Sequence, residues 1–124
     1  MSAPEFDWDM HSGDHKNLVV TVKNSAGAIV PLTGALEVKF QMSKKTDTGF
    51  SSTVALSKAL SAGITEIELT DPVNGVMAIK FVPADTGALK GEYYYEIEVE
   101  DATNNVATVL IGTLTILKDL VTNP

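Results

Sequence analysis

The chain contains no cysteine and no arginine. The first absence excludes disulfides, thiolate metal sites and cysteine nucleophiles, while leaving the compartment open. The second bears on partners. All nine basic residues are lysine, set against sixteen Asp plus Glu, for a net charge of −7. Arginine is the usual residue for forked recognition of phosphates and bases, so no nucleic-acid partner is expected. An acidic surface suits solubility and a basic protein partner. The N-terminal Met-Ser-Ala-Pro-Glu-Phe-Asp has neither a basic nor an apolar targeting segment, so no signal peptide is expected. Apolar runs fall far short of the roughly 18 residues a membrane helix needs, and no membrane partner is expected. Synthesis in the cytoplasm follows, or export by a route the sequence does not reveal.

What is present is enough for one core. The 124 residues are 44% hydrophobic. A domain of that size buries roughly two-thirds of its unfolded surface without metals or disulfides. One domain over 1–124 is expected, with short tails at 1–4 and 119–124.

The dominant period is two, the strand period. In 35–42, Leu36, Val38, Phe40 and Met42 share one face, and Glu37, Lys39 and Gln41 the other. In 92–100, Tyr93, Tyr95, Ile97 and Val99 alternate with Tyr94, Glu96, Glu98 and Glu100. Such patterns fit half-buried antiparallel strands. Further strands are expected near 5–11, 16–23, 52–58, 64–70, 76–82 and 106–117. Asn24–Gly27, Ala59–Gly63, Asp71–Gly75 and Asp101–Asn105 read as turns. The polar, glycine-containing 43–52 is the best loop candidate. Residues 83–89 suit one helical turn capped by Asp85 or Thr86. Gly112, inside the last strand, suggests a bulge or a close backbone approach. About eight short strands with turn signals every eight to twelve residues indicate an all-β sandwich or barrel.

Little in the chain points to chemistry. His11 and His15 are four apart, a spacing that brings two ligands to one metal on a helix; here the segment reads strand, turn, strand, a solvated edge. No metal and no cofactor are expected. Glu92, Glu96, Glu98 and Glu100 form a row on one strand face, with Asp101 just beyond and about 7 Å between residues two apart. Catalytic carboxylate pairs face each other across a cleft, so the row reads as a charged outer face or a contact for a lysine-rich partner. No Gly-x-Ser-x-Gly elbow, phosphate loop or EF-hand spacing is present. Trp8 reads as a core or interface anchor. A tyrosine early in a late strand can bond back to the preceding corner, with Tyr94 facing out. The candidate interaction residues are Trp8, Phe50, Tyr94, Glu96, Glu98 and Glu100.

Residues 13–34 run Gly-Asp-His-Lys-Asn-Leu-Val-Val-Thr-Val-Lys-Asn-Ser-Ala-Gly-Ala-Ile-Val-Pro-Leu-Thr-Gly. With Asp71-Pro72-Val73-Asn74-Gly75-Val76, the stretch from Ala84 to Glu96, and the closing Gly112-Thr113-Leu114-Thr115-Ile116, this resembles the small immunoglobulin-like virion proteins of tailed bacteriophages. The nearest likeness is to the N-terminal domain of phage baseplate upper proteins. The resemblance spans nearly the whole chain. It implies an immunoglobulin-like antiparallel β-sandwich of about 7–9 strands without catalytic residues.

The function expected on that basis is structural and non-enzymatic: an accessory or decorating virion protein of capsid, neck, tail or baseplate. Its partners would be other virion proteins, in multiple copies, or further copies of itself in a homo-oligomer. The alternative is a carbohydrate- or cell-surface-binding module, which requires an exposed aromatic platform drawn from Trp8, Phe50 and Tyr94. An enzyme is not expected.

Overall fold

The computed structural model describes residues 4–118. Eight strands are formed: β1 (Trp8–His11), β2 (Lys16–Thr21), β3 (Glu37–Thr46), β4 (Gly49–Ala59), β5 (Ile67–Asp71), β6 (Val76–Phe81), β7 (Gly91–Glu100) and β8 (Val106–Leu117). They make a two-layer β-sandwich. One sheet runs β1-β8-β7-β3-β4 and the other β2-β6-β5. A single helical turn, α1 (Pro83–Thr86), lies between β6 and β7. The tails expected at 1–4 and 119–124 lie, apart from Pro4, outside the described residues.

Alternation builds the core. Val38, Phe40 and Met42 of β3 and Tyr93, Tyr95, Ile97 and Val99 of β7 point inward and are buried. They meet Leu18 and Val20 of β2, Ile67 of β5, and Met77, Ile79 and Phe81 of β6. Aromatic rings join the sheets: Phe81 meets Trp8 and Phe40 edge-on at 5.3 and 5.4 Å, and Phe40 stacks on Tyr95 at 5.5 Å. Such pairs add about 0.5–1.5 kcal/mol each beyond area burial.

The turns use the expected residues. Asn24 Oδ1 accepts from the N–H groups of Ala26 and Ala28. Gly75 closes the Pro72–Asn74 turn at φ 71°, a left-handed conformation that glycine adopts without strain. Asp85 caps α1 from within, its Oδ2 accepting from Val82 N at 2.8 Å. Thr86 is fully buried instead, and its Oγ1 accepts from Gly13 N at 3.0 Å.

Several expectations are corrected. Residues 43–52 are no loop: β3 continues to Thr46, Asp47 and Thr48 make the turn, and β4 starts at Gly49. Beyond Ser43 this hairpin tip is largely exposed, so polar residues fill it and the period-two signal is lost. The sandwich is not wholly antiparallel, because β1 pairs parallel with β8, Trp8 opposite Leu114. Leu36 sits on the bend before β3 and is exposed, outside the alternation of Val38, Phe40 and Met42. The first strand starts at Trp8, and Phe6 before it is exposed. Gly112 marks a close approach: a Cβ there would collide with the Phe6 carbonyl. The register shift between β7 and β8 falls elsewhere, at Ile97/Glu98. The Tyr95 hydroxyl does not return to the preceding corner but donates to the Phe6 carbonyl, holding the N-terminal segment against β8.

Candidate functional site

The outer face of the five-stranded sheet carries aromatic, acidic and amide side chains side by side. Because β7 buries Tyr93, Tyr95, Ile97 and Val99, it must present Tyr94, Glu96, Glu98 and Glu100 outward. The β3–β7 register sets Ser43 opposite Tyr94, Gln41 opposite Glu96, Lys39 opposite Glu98 and Glu37 opposite Glu100. On the other side of β3, Ser43 pairs with Val54 and Lys45 with Phe50. Strands two places apart in a sheet lie roughly 10 Å from each other. Phe50 and Tyr94 close that gap by leaning over the small Ser43, and their rings stack at 4.6 Å and 16°.

The result is a groove of about 200 Å³. Its floor is Lys39, Gln41 and Ser43, one wall is Tyr94, Glu96 and Glu98, and the other is Phe50 and Val54. Ser43 is only 7% exposed. A second hollow of about 320 Å³ adjoins the first through Lys39 and Glu98. Leu36, Glu37, Glu100 and Val106 complete it.

The polar groups differ in how far they are engaged. The Tyr94 hydroxyl donates to Glu96 Oε2 at 2.7 Å. Partial burial, then this bond and the negative charge of Glu96, push the Tyr94 hydroxyl up to about 12. Glu37 is engaged by the backbone: its Oε1 accepts from the N–H groups of Ser61 and Val38, each at 3.0 Å. Hydrogen bonding from Ser61 outweighs the opposing effect of burial and holds Glu37 below its ordinary range. Lys45 reaches beyond the stack to Thr113 Oγ1 at 3.0 Å, and Lys44 donates to the Lys90 carbonyl. Among the described residues, ion pairs form only between Lys58 and Asp85 and between Lys80 and Glu68. Glu96 and Glu98 therefore line the groove, and Glu100 the adjoining hollow, without a paired cation.

Of the six candidate residues, Phe50, Tyr94, Glu96 and Glu98 meet in one groove, and Glu100 lies in the adjoining hollow. Trp8 is elsewhere. It is half-buried between the sheets against Phe81, its Nε1 without a hydrogen-bond partner. Lys39, Gln41, Ser43, Leu36 and Val106 were not singled out from sequence. The alternation of 35–42 does mark Lys39 and Gln41 as outward, but which strand lies beside them is not a local property. His11 and His15 are exposed, and among the described residues no cluster of three potential metal ligands occurs. An aromatic stack, a row of carboxylates, one ammonium and one amide can bind by stacking, charge and hydrogen bonding. No family model matches the chain, and no curated protein matches it.

Proposed function

We propose that this chain is a non-enzymatic, immunoglobulin-like module of a tailed-bacteriophage particle, made in the host cytoplasm and acting through protein–protein contacts in multiple copies. The observation that carries the reading is the division of strands between the sheets. In the immunoglobulin arrangement the third, sixth and seventh strands form one sheet and the first, second, fourth and fifth the other, with extra strands added beside the third. Here β3, β7 and β8 share one sheet, with β4 added beside β3, and β2, β5 and β6 share the other; β1 departs from that arrangement by pairing with β8. That order supports the immunoglobulin-like reading. The phage assignment rests on the succession of turn motifs from Gly13 to Ile116.

The test is to mix purified protein with phage heads and with tails that lack it, and to image both by electron microscopy. Regular added density on heads supports a decorating role, and density on tails a tail or baseplate role. A stable monomer that binds neither overturns the virion reading. The alternative is a carbohydrate- or cell-surface-binding module. The exposed Phe50–Tyr94 stack beside hydrogen-bonding groups favours it. Glycan binding that Tyr94→Ala abolishes would establish that reading.

A further inference from the structure

We infer that the outer groove is a docking site for an extended, arginine-bearing segment of a partner protein. The inference rests on the protein-contact reading above and names the surface and the partner chemistry.

Charge complementarity decides the occupant. Three carboxylates, Glu96, Glu98 and Glu100, stand at every second position of β7 on one open face. None has an ion-pair partner among the described residues, although Lys39 is directly opposite Glu98. Neighbouring like charges repel, and a bound cation relieves the repulsion. A neutral ligand does not.

The aromatic stack selects the cation. A guanidinium is planar and weakly hydrated; it lies on an aromatic face and forks onto carboxylate oxygens at once. The groove offers both within one short stretch: the Phe50–Tyr94 stack, 52% of Phe50 being exposed, and the carboxylates of Glu96 and Glu98 beside it. Ser43, a small polar residue, lines the same groove.

Shape decides that the segment is extended. The two hollows run along β7 from Tyr94 to Glu100, six residue steps, or roughly 20 Å. Apolar side chains stand at both ends, Phe50 and Val54 at one and Leu36 and Val106 at the other. All four are among the exposed large hydrophobics. A segment of about six residues with arginine in its middle and apolar residues at its ends matches this order.

The experiment uses the full chain and three probes: the capped peptide Val-Arg-Ser-Arg-Ser-Leu, the same peptide with both arginines replaced by glutamine, and a neutral glucose tetrasaccharide. Amide chemical shifts map the site and calorimetry gives affinity. The arginine peptide is expected to shift amides of β3 and β7 around Lys39, Gln41, Glu96 and Glu98. The glutamine peptide should bind at least about tenfold more weakly, the equivalent of one lost charge-assisted hydrogen bond. Raising the ionic strength from about 0.01 to about 1 M should weaken the arginine peptide strongly. Glu98→Gln should weaken it by about tenfold while leaving thermal stability unchanged, since that exposed side chain forms no ion pair.

Equal binding of the two peptides, no binding of either, shifts confined to another face, or groove shifts from the tetrasaccharide alone would each overturn the inference. The last result would transfer the groove to the carbohydrate-binding reading. Uptake of Glu98→Gln by phage particles separates this inference from the virion reading. Uptake equal to that of the parent protein refutes the groove as the particle contact and leaves the virion reading standing. Peptide binding in the groove with no particle uptake does the reverse.

Discussion

Lys58 Nζ lies 2.7 Å from Asp85 Oδ2, and the two side chains are only 6% and 14% exposed. The same carboxylate oxygen caps α1 by accepting from Val82 N. One oxygen thus ties the end of the edge strand β4 to the connection between β6 and β7. Removing one member of a buried pair strands the other charge and costs about 3–5 kcal/mol. Lys58→Met alone is expected to destabilise by an amount in that range. Asp85→Leu alone should cost at least as much, because the cap is lost too. The double variant should be more stable than the sum of the two single losses implies. Urea unfolding of the three variants as a double-mutant cycle checks this; additive losses would show the pair to be uncoupled.

The N-terminal segment over β8 gives a second test. Phe6 N donates to the Ile111 carbonyl at 2.9 Å, Ile111 N to that of Pro4 at 3.1 Å, and Thr113 N to Asp7 Oδ1 at 2.9 Å. Gly112 lies beneath this segment, and no side chain fits there. Gly112→Ala is expected to lift the segment and destabilise by about 1–3 kcal/mol. Tyr95→Phe, which removes the donor to the Phe6 carbonyl, should cost a similar ~1–3 kcal/mol if that carbonyl stays dry. Thermal unfolding measures both losses. Limited proteolysis before Trp8 should be faster in both variants, and an unchanged rate would count against a clamped segment.

At alkaline pH the tyrosines should titrate late. Tyr94 is pushed up to about 12, by burial first and by its bond to Glu96 second, from an ordinary 10.0. Tyr95 is raised further, by burial and then by the charge of Asp7. Both hydroxyls keep their protons longer in the folded chain than in the unfolded one. Stability is therefore fully present below about pH 10 and falls as pH rises through 10 towards 12 and beyond. Tyrosinate absorbance against pH reads the titration. Glu96→Gln should move the Tyr94 step downward, and Tyr94→Phe should remove it.

At acid pH Glu37 should matter. Its bonds from Ser61 and Val38 hold it below an ordinary 4.5. A carboxylate lowered on folding adds stability that is present above its unfolded value. That stability is lost as pH falls through the lower folded value. Glu37→Gln is expected to flatten the decline in stability below about pH 4.5. Urea midpoints across pH 3–6 check it. A parallel decline in parent and variant would place the acid sensitivity elsewhere.

The amino-acid sequence alone determined that Tyr93, Tyr95, Ile97 and Val99 face one way and Tyr94, Glu96, Glu98 and Glu100 the other. A strand buried on one face writes its orientation into every second residue. The turns at Asn24 and Asp71–Gly75 were legible for a similar reason: their backbone angles and side-chain bonds are satisfied within a few residues. The hairpin at 43–52 was not, because an exposed edge imposes no alternation. Nor was the parallel pairing of β1 with β8, a contact between residues over a hundred positions apart. The stack of Phe50 on Tyr94 above Ser43 needs β4, β3 and β7 side by side in one particular register. Register follows from how the whole chain closes its core, so only the tertiary structure turned separate aromatic and acidic residues into a groove.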